Sequence, residues 1–287
     1  MPASEPLSSN RSTQGQFIQQ LSRLPWWLLF ILFGGVFLFY KISTDELYTT
    51  ILSKLLQGVA LTVFVAVVSY FVAIVIGLIA GLGRVSKNPI IFNIATLYVQ
   101  IIRGVPILVQ IFYVAFVLAP AIFTLLHNLG LSLVGLLGPD NFLATSSTQD
   151  LSMLARVMIA LAIAYGGFEA ETFRAGIESI SKGQMEAARS LGMSYFHAMR
   201  YVIMPQAVRR VLPPLSNDFI SMIKDSSLVS VLGVRDVTQE ARLYAAASFR
   251  YPETYNTLAF VYLTMTILLS LGVKWLENRM GQEGRSG

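Results

Sequence analysis

Cysteine is absent from these 287 residues, histidine occurs twice, and only 13% of positions carry Asp, Glu, Lys or Arg. The first absence excludes disulfides, thiolate metal sites and cysteine nucleophiles, and it says nothing of the compartment. With only His127 and His197, and no H-E-x-x-H, a zinc protease is excluded. No G-x-x-x-x-G-K-[ST] loop occurs either, so the chain should not bind ATP itself. The scarcity of charge is the most informative lack. A soluble domain carries about 25% charged residues. Here 54% of the chain is hydrophobic, in long blocks, which is the pattern of an all-α integral membrane protein.

Net charge is +5. Nucleic-acid binding is the first reading of a basic soluble chain. In a membrane protein the excess of Lys and Arg belongs to cytoplasmic loops instead, so no nucleic-acid partner is expected.

Residues 1–25 are polar and rich in Ser and Gln, a cytoplasmic tail. The apolar run that follows has the look of a signal-peptide core. KISTDEL comes directly after it, with no small-residue cleavage site, so 26–42 reads as a retained N-terminal transmembrane helix. Further spans are expected at about 55–82, 104–125, 151–172, 207–234 and 254–273. Residues 89–102 read as an interfacial helix. The stretch 126–150 reads as an outer loop with a short re-entrant or surface helix. The 207–234 segment is the least apolar, because Asp218, Lys224 and Asp225 interrupt it. If it spans, those groups face protein or water. With six spans and both termini inside, fourteen of the 21 Lys and Arg fall on the cytoplasmic side and five outside, while Arg156 and Lys224 lie within spans. That bias places residues 183–207 in the cytoplasm.

Residues 183–207 read GQMEAARSLGMSYFHAMRYVIMPQA. Gln184 to Leu191 is a short run of helix formers, and Gly192 suits the left-handed residue that ends it. Ser194 is placed to cap a second helix, which Pro205 should interrupt. Two helices meeting at a glycine make a knuckle standing off the membrane, and an ordinary amphipathic connector would look similar. Ala187 and Ala188 would let another surface come close, with Glu186 and Arg189 as polar contacts.

Glu186-Ala187-Ala188, three residues, Gly192, nine residues, then Val202-Ile203-Met204-Pro205 resembles the EAA loop of ABC importer permeases. Val202 and Met204 stand where Ile and Leu are commoner. GFEAETFRAGIESISKGQMEAARSLG, PQAVRRVLPPLSNDFISMIKDSSLVSVLGV and IIRGVPILVQ are similar to permeases of polar amino-acid importers, as are Gly58 and Thr62 in LLQGVALTV. The resemblance covers 54–277; the N-terminal span and the 126–150 loop depart from it. It implies the type I ABC importer permease fold with about six transmembrane helices, in a bacterial inner membrane. It implies an ATP-binding subunit dimer that holds the ATP and Mg, docked on Glu186, Ala187, Ala188, Gly192 and Pro205. A second permease subunit, identical or paralogous, would complete the pathway. An external substrate-binding protein would deliver a polar amino acid.

Within the spans, Asp218 and Asp225 lie seven residues apart, on nearly one helix face. They either line a pathway or pair with Lys224 or arginines to hold a broken helix, since Asp-Ser-Ser at 225–227 competes for backbone hydrogen bonds. Arg156 and Glu169 lie thirteen residues apart on one helix, about 20 Å, so they cannot grip one amino acid together. Both are candidates for the substrate pathway, Arg156 near its outer mouth and Glu169 near its inner end. Glu169, Asp218 and Lys224 are candidates for a shared substrate site, Lys224 for the carboxylate and an acid for the ammonium. Mutual neutralisation is the competing role. Arg103-Gly104-Val105-Pro106 matches a family turn, and equally an arginine anchoring a span at the headgroups. Alternatives are a permease for another solute such as methionine, or a channel-like membrane protein. A channel would need a selectivity ring, which is not visible.

Overall fold

The computed structural model describes residues 26–138 and 141–283, so the polar tail expected over 1–25 lies outside it. Every regular element among the described residues is helical. In chain order these are α1 (Trp26–Thr44), α2 (Glu46–Arg84), α3 (Pro89–Gly104), α4 (Ile107–Ser132), α5 (Val134–Leu137), α6 (Phe142–Thr145) and α7 (Met153–Glu178). Then come α8 (Lys182–Ser190), α9 (Tyr195–Ala198), α10 (Met204–Asp225), α11 (Val237–Ser248) and α12 (Tyr251–Glu283). Helices α2, α4, α7 and the Tyr251–Trp275 part of α12 are long and apolar enough to cross a membrane. Helix α3 and the Leu29–Thr44 part of α1 are shorter apolar helices.

Lipid tails are as apolar as leucine, so hydrophobic transfer does not draw these helices together; close packing does. Helix α7 supplies the small residues. It is lined by Ala160, Ala164, Gly166, Gly167, Ala170 and Gly176, all buried. Helix α2 lies so near that a Cβ at Gly77 would stand 2.4 Å from the Glu169 Cβ. Around this seam Tyr70 of α2, Ile111 of α4, Leu161 of α7 and Met222 of α10 share one core. A second core joins Ile51 and Leu55 to Val237, Ala241 and Val261.

Helix α3 begins at Pro89, where Asn88 accepts from the Ile90 amide at 2.9 Å. It does not lie flat at the end of the bundle, as an interfacial helix would. Its Tyr98 hydroxyl donates to the Ile163 carbonyl at 2.7 Å, and Ile102 fills the space left by Gly167, both near the midpoint of α7. Helix α4 runs on to Ser132, past the expected end at 125. The 126–150 stretch folds back on it: Asn141 caps α6, accepting from Ala144 at 2.9 Å, while its amide donates to the Gly130 carbonyl at 3.1 Å.

The expected 207–234 span is helical from Met204 to Asp225 and then changes to a seven-residue 3-10 stretch, Ser226–Leu232, ended by left-handed Gly233. The break falls at the Asp-Ser-Ser triplet. With its charges, α10 is not among the four helices apolar enough to span. Pro205 does not interrupt the chain. A π turn, Met199–Ile203, precedes it, and the Met204 amide reaches back to the Met199 carbonyl. Pro205 therefore sits in the first turn of α10, where a missing N–H costs little.

Beyond the spans, buried Asp236 caps α11, accepting from the Gln239 amide at 2.8 Å. Burial pushes its carboxyl up to about 6, against the hydrogen bonds it accepts. This corner is tight. The Val237 amide donates to the Thr62 hydroxyl at 3.1 Å, and a Cβ at Gly58 would lie 2.4 Å from the Val237 nitrogen. Backbone cannot yield there, so Gly58→Ala should destabilise the fold by about 1–3 kcal/mol. Gly34, with nothing within 4 Å of its Cβ position, is the control. Gly58→Ala should lose monodispersity in detergent at a lower temperature than the parent, while Gly34→Ala does not.

Candidate functional site

The 183–207 segment is closed by backbone hydrogen bonds. Gly192 has φ +84°, the Gly192 amide donates to the Arg189 carbonyl at 3.0 Å, and the Met193 amide to the Ala188 carbonyl at 3.2 Å. These two bonds are the paired C-terminal closure of a helix around a left-handed residue. Nothing lies within 4 Å of a Cβ at Gly192, so conformation alone demands glycine there. Ser194 then caps α9, accepting from the His197 amide at 3.3 Å. Ile180, Ile203 and Ala207, with Met185 and Val202 beside them, form a small core under the knuckle.

Glu186, Ala187 and Pro205 are exposed. Ala188 is buried against its own chain, so of the residues expected to meet a partner it alone faces inward. The alternation follows from the helix: a residue two positions from Glu186 falls on another face. The sequence reading missed the apolar side chains beside them, Leu191 and Phe196, which are 84% and 67% exposed. Both ends of the segment are anchored in the bundle. Helix α8 follows α7 after three residues, and Arg210 of α10 donates to the Ser179 carbonyl.

The second feature is a set of carboxylates inside the bundle. Glu169 is wholly buried, and neither of its oxygens has a hydrogen-bond partner. Tyr70 and Asp218 are within its electrostatic reach, although the Tyr70 hydroxyl donates to the Leu215 carbonyl. Tyr165 donates to Asp225 at 2.7 Å, across the break in α10. Aromatic rings lie beside these carboxyl groups: Tyr70 is 5.3 Å from Phe219 and 6.4 Å from Tyr165. Among the described residues, no Lys or Arg forms an ion pair with Glu169, Asp218 or Asp225.

The structure thus brings Glu169 and Asp218 together but not Lys224, which is exposed. Lys224 is next to Asp225, and consecutive helical residues point about 100° apart. Arg156 stands apart too. Its Nε donates to the Leu151 carbonyl at 3.0 Å, one terminal nitrogen to Ala115 at 3.0 Å and the other to Thr148. Three of its five donors brace the 148–151 turn against the α4 π turn Val114–Leu118.

A third cluster was not foreseen. Glu171 receives Arg84 of α2, both Nε (3.3 Å) and a terminal nitrogen of Arg174, and, at 3.7 Å, Arg103 of α3; Arg174 also pairs with Glu178. The i, i+3 and i, i+4 pairs are readable along α7, but the two incoming arginines need the tertiary fold.

Residues 73–282 match the family model of the binding-protein-dependent transport system inner membrane component. The glutamine transport system permease protein GlnP of Escherichia coli is 35% identical over 226 residues, covering 79% of this chain and 92% of that one. A probable amino-acid permease protein, YxeN of Bacillus subtilis, is 33% identical over 81% of this chain and 93% of its own. Among solved structures, an amino acid ABC transporter with histidines superposes with a TM-score of 0.64 at 33% identity, over 79% of this chain and 94% of that one. The MetNI methionine ABC transporter superposes at 0.58 with 18% identity, which shows the fold alone.

Because Arg156 ties Thr148 and Leu151 to Ala115, Arg156→Met should loosen the 133–150 segment. Limited proteolysis there should speed up several-fold, while relative uptake of different substrates stays as in the parent. A shift in selectivity would return Arg156 to the pathway.

Proposed function

The chain belongs to the family of binding-protein-dependent transport system inner membrane components, and on that footing we propose that it is the permease of an ATP-driven importer of polar amino acids. It is a multi-pass membrane protein. Its relatives' names, amino-acid permease and glutamine permease, support the substrate class.

The observation that carries the reading is the knuckle, a rigid helix–glycine–helix with apolar and acidic groups exposed and both ends rooted in the bundle. In our reading it lies in the cytoplasm with both termini, as the Lys and Arg bias requires. Glu186, Ala187, Pro205, Leu191 and Phe196 form the face for an ATP-binding subunit dimer, which holds the nucleotide and magnesium. Ala188 supports that face from inside, and Gly192 sets the angle between its halves. Closure of the dimer presses on the knuckle and moves α7 and α10, the helices carrying Glu169 and Asp218. Chemical work stays on the partner; this chain converts displacement into access.

On α10, exposed Arg210, Asn217 and Lys224 stand seven residues apart, one above another. Polar groups do not face hydrocarbon, so this stripe faces water and a second permease subunit, identical or paralogous. An external binding protein supplies the amino acid from the outer side. Glu169 and Asp218 suit the ammonium or a cationic side chain, with Lys224 placed along the same route for the carboxylate.

Labelling and coupling variants test this. The chain has no cysteine to confuse labelling. A cysteine at Ser194 should react only from the cytoplasm and one at Ser147 only from outside. Glu186→Lys and Gly192→Val should each insert normally yet lose ATPase association or substrate-stimulated hydrolysis. For Gly192→Val, the left-handed backbone adds a cost of about 1–2 kcal/mol. Normal uptake by both variants would end the coupling role.

The buried carboxyl group gives a third test. Glu169→Gln should depress uptake of cationic amino acids more than of neutral ones, read as the ratio of initial rates in the same vesicles. An equal loss for all substrates, with poor expression, would mark Glu169 as structural.

A further inference from the structure

The charges around Glu171 are used neither by the knuckle face nor by the acidic pocket, and stability does not account for them. Its side chains are between 13% and 51% exposed, and ion pairs reached by solvent contribute little to stability. The cluster is also imperfectly satisfied. Three guanidiniums share two carboxylates, the Arg84 Nε is buried without a partner, and Arg103 is held at 3.7 Å with about half its side chain exposed.

Position explains more. Arg84 is the last residue of α2 and Arg103 the next to last of α3. Arg174 and Glu178 occupy the final turns of α7, from which the knuckle follows at Lys182. After Arg103 the chain breaks at Gly104–Pro106, and the break is clasped from the far side. Gln110 of α4, buried, donates to the carbonyls of Ile102 at 2.8 Å and Val105 at 2.7 Å. A continuous chain of polar contacts therefore runs from the root of the knuckle, through Arg174 and Glu171, to Arg103 and across the break into α4.

We infer that Glu171 is a positioning residue for coupling: it fastens the root of the knuckle to α2 and to the α3 side of the break, so that a displacement of the knuckle is delivered to α4. This rests on the reading of the knuckle as the ATPase contact. Without the tie, the end of α7 next to the knuckle moves while α3 and α4 stay joined to α7 only higher up, through Tyr98 on Ile163 and Arg156 on Ala115, and hydrolysis proceeds with little transport. The role is one of registry: the cluster fixes how the ends of three helices sit against one another. Spatial continuity alone does not establish coupling, so a double-mutant cycle is needed.

The test uses the full complex, permease with ATPase subunits and binding protein, reconstituted in proteoliposomes, with uptake and ATP hydrolysis read in one preparation. Glu171→Gln keeps the side-chain volume and removes the charge. It should keep the ATPase subunits bound and cut uptake per ATP by about tenfold, with the substrate concentration for half-maximal uptake unchanged. Arg103→Gln should cut the ratio less, and the double variant should fall no further than Glu171→Gln, since both act through one tie. Ratios within twofold of the parent, or losses that multiply in the double variant, would overturn the inference. Should Glu171→Gln fail to reach the membrane, half-exposed Arg103→Gln decides, and an unchanged ratio overturns it. Failure of the underlying reading shows separately, as Glu186→Lys that keeps both ATPase association and substrate-stimulated hydrolysis.

Discussion

Helix α7 is enclosed on nearly every side in a molecule whose surroundings are as apolar as its interior. In such a medium a helix is not buried because it is greasy; it is buried because neighbours can approach it. The alanines and glycines of α7 permit that approach by α2, α3 and α10 at once, and the rest of the architecture hangs on it. A single added methylene at the α2 contact would meet the Glu169 Cβ, and one at Gly167 would meet Ile102. The helix that carries the acidic pocket at its middle and the knuckle at its end is thus also the one with the least steric tolerance.

The same helix treats charge in two ways within one turn. Glu169 is enclosed by aromatic rings and left without a hydrogen bond. Glu171, two residues on and so on another face, is saturated by arginines from three helices. An isolated buried carboxylate is expensive to hold, which is reason to look for a ligand. A carboxylate with too many cations is already occupied, and its work is to hold protein to protein.

How much of this was legible depended on range. Features settled within a few residues were readable: the left-handed Gly192, the Ser194 cap, the break at Asp225–Ser227 and the long apolar helices. The knuckle's residue pattern pointed to the family before any coordinates. Pro205 misled because a local rule ends helices at proline, whereas a π turn just before it absorbed the missing donor. The surroundings of Ala188 and Arg156 were hidden for another reason. Residue type suggested a role, but the direction of each side chain was set by packing against distant parts of the chain. The Arg84 and Arg103 contacts with Glu171 join positions dozens of residues apart, and no spacing in the sequence announces them. Residues 89–102 have the amphipathic pattern of a surface helix, and only the gap at Gly166 and Gly167 reveals that their apolar face has a protein partner.

The 3-10 stretch after α10 has a metrical consequence. A 3-10 residue rises about 2.0 Å against 1.5 Å in an α-helix, so seven such residues run about 3.5 Å longer than the same residues wound as α. One end is pinned by Tyr165 on Asp225, the other by the tight corner of Asp236 and Val237 against α2. Between these two fixed points the chain is paid out at nearly its greatest helical length. Wound as α-helix, the same seven residues would draw these two points together by about the width of a water molecule.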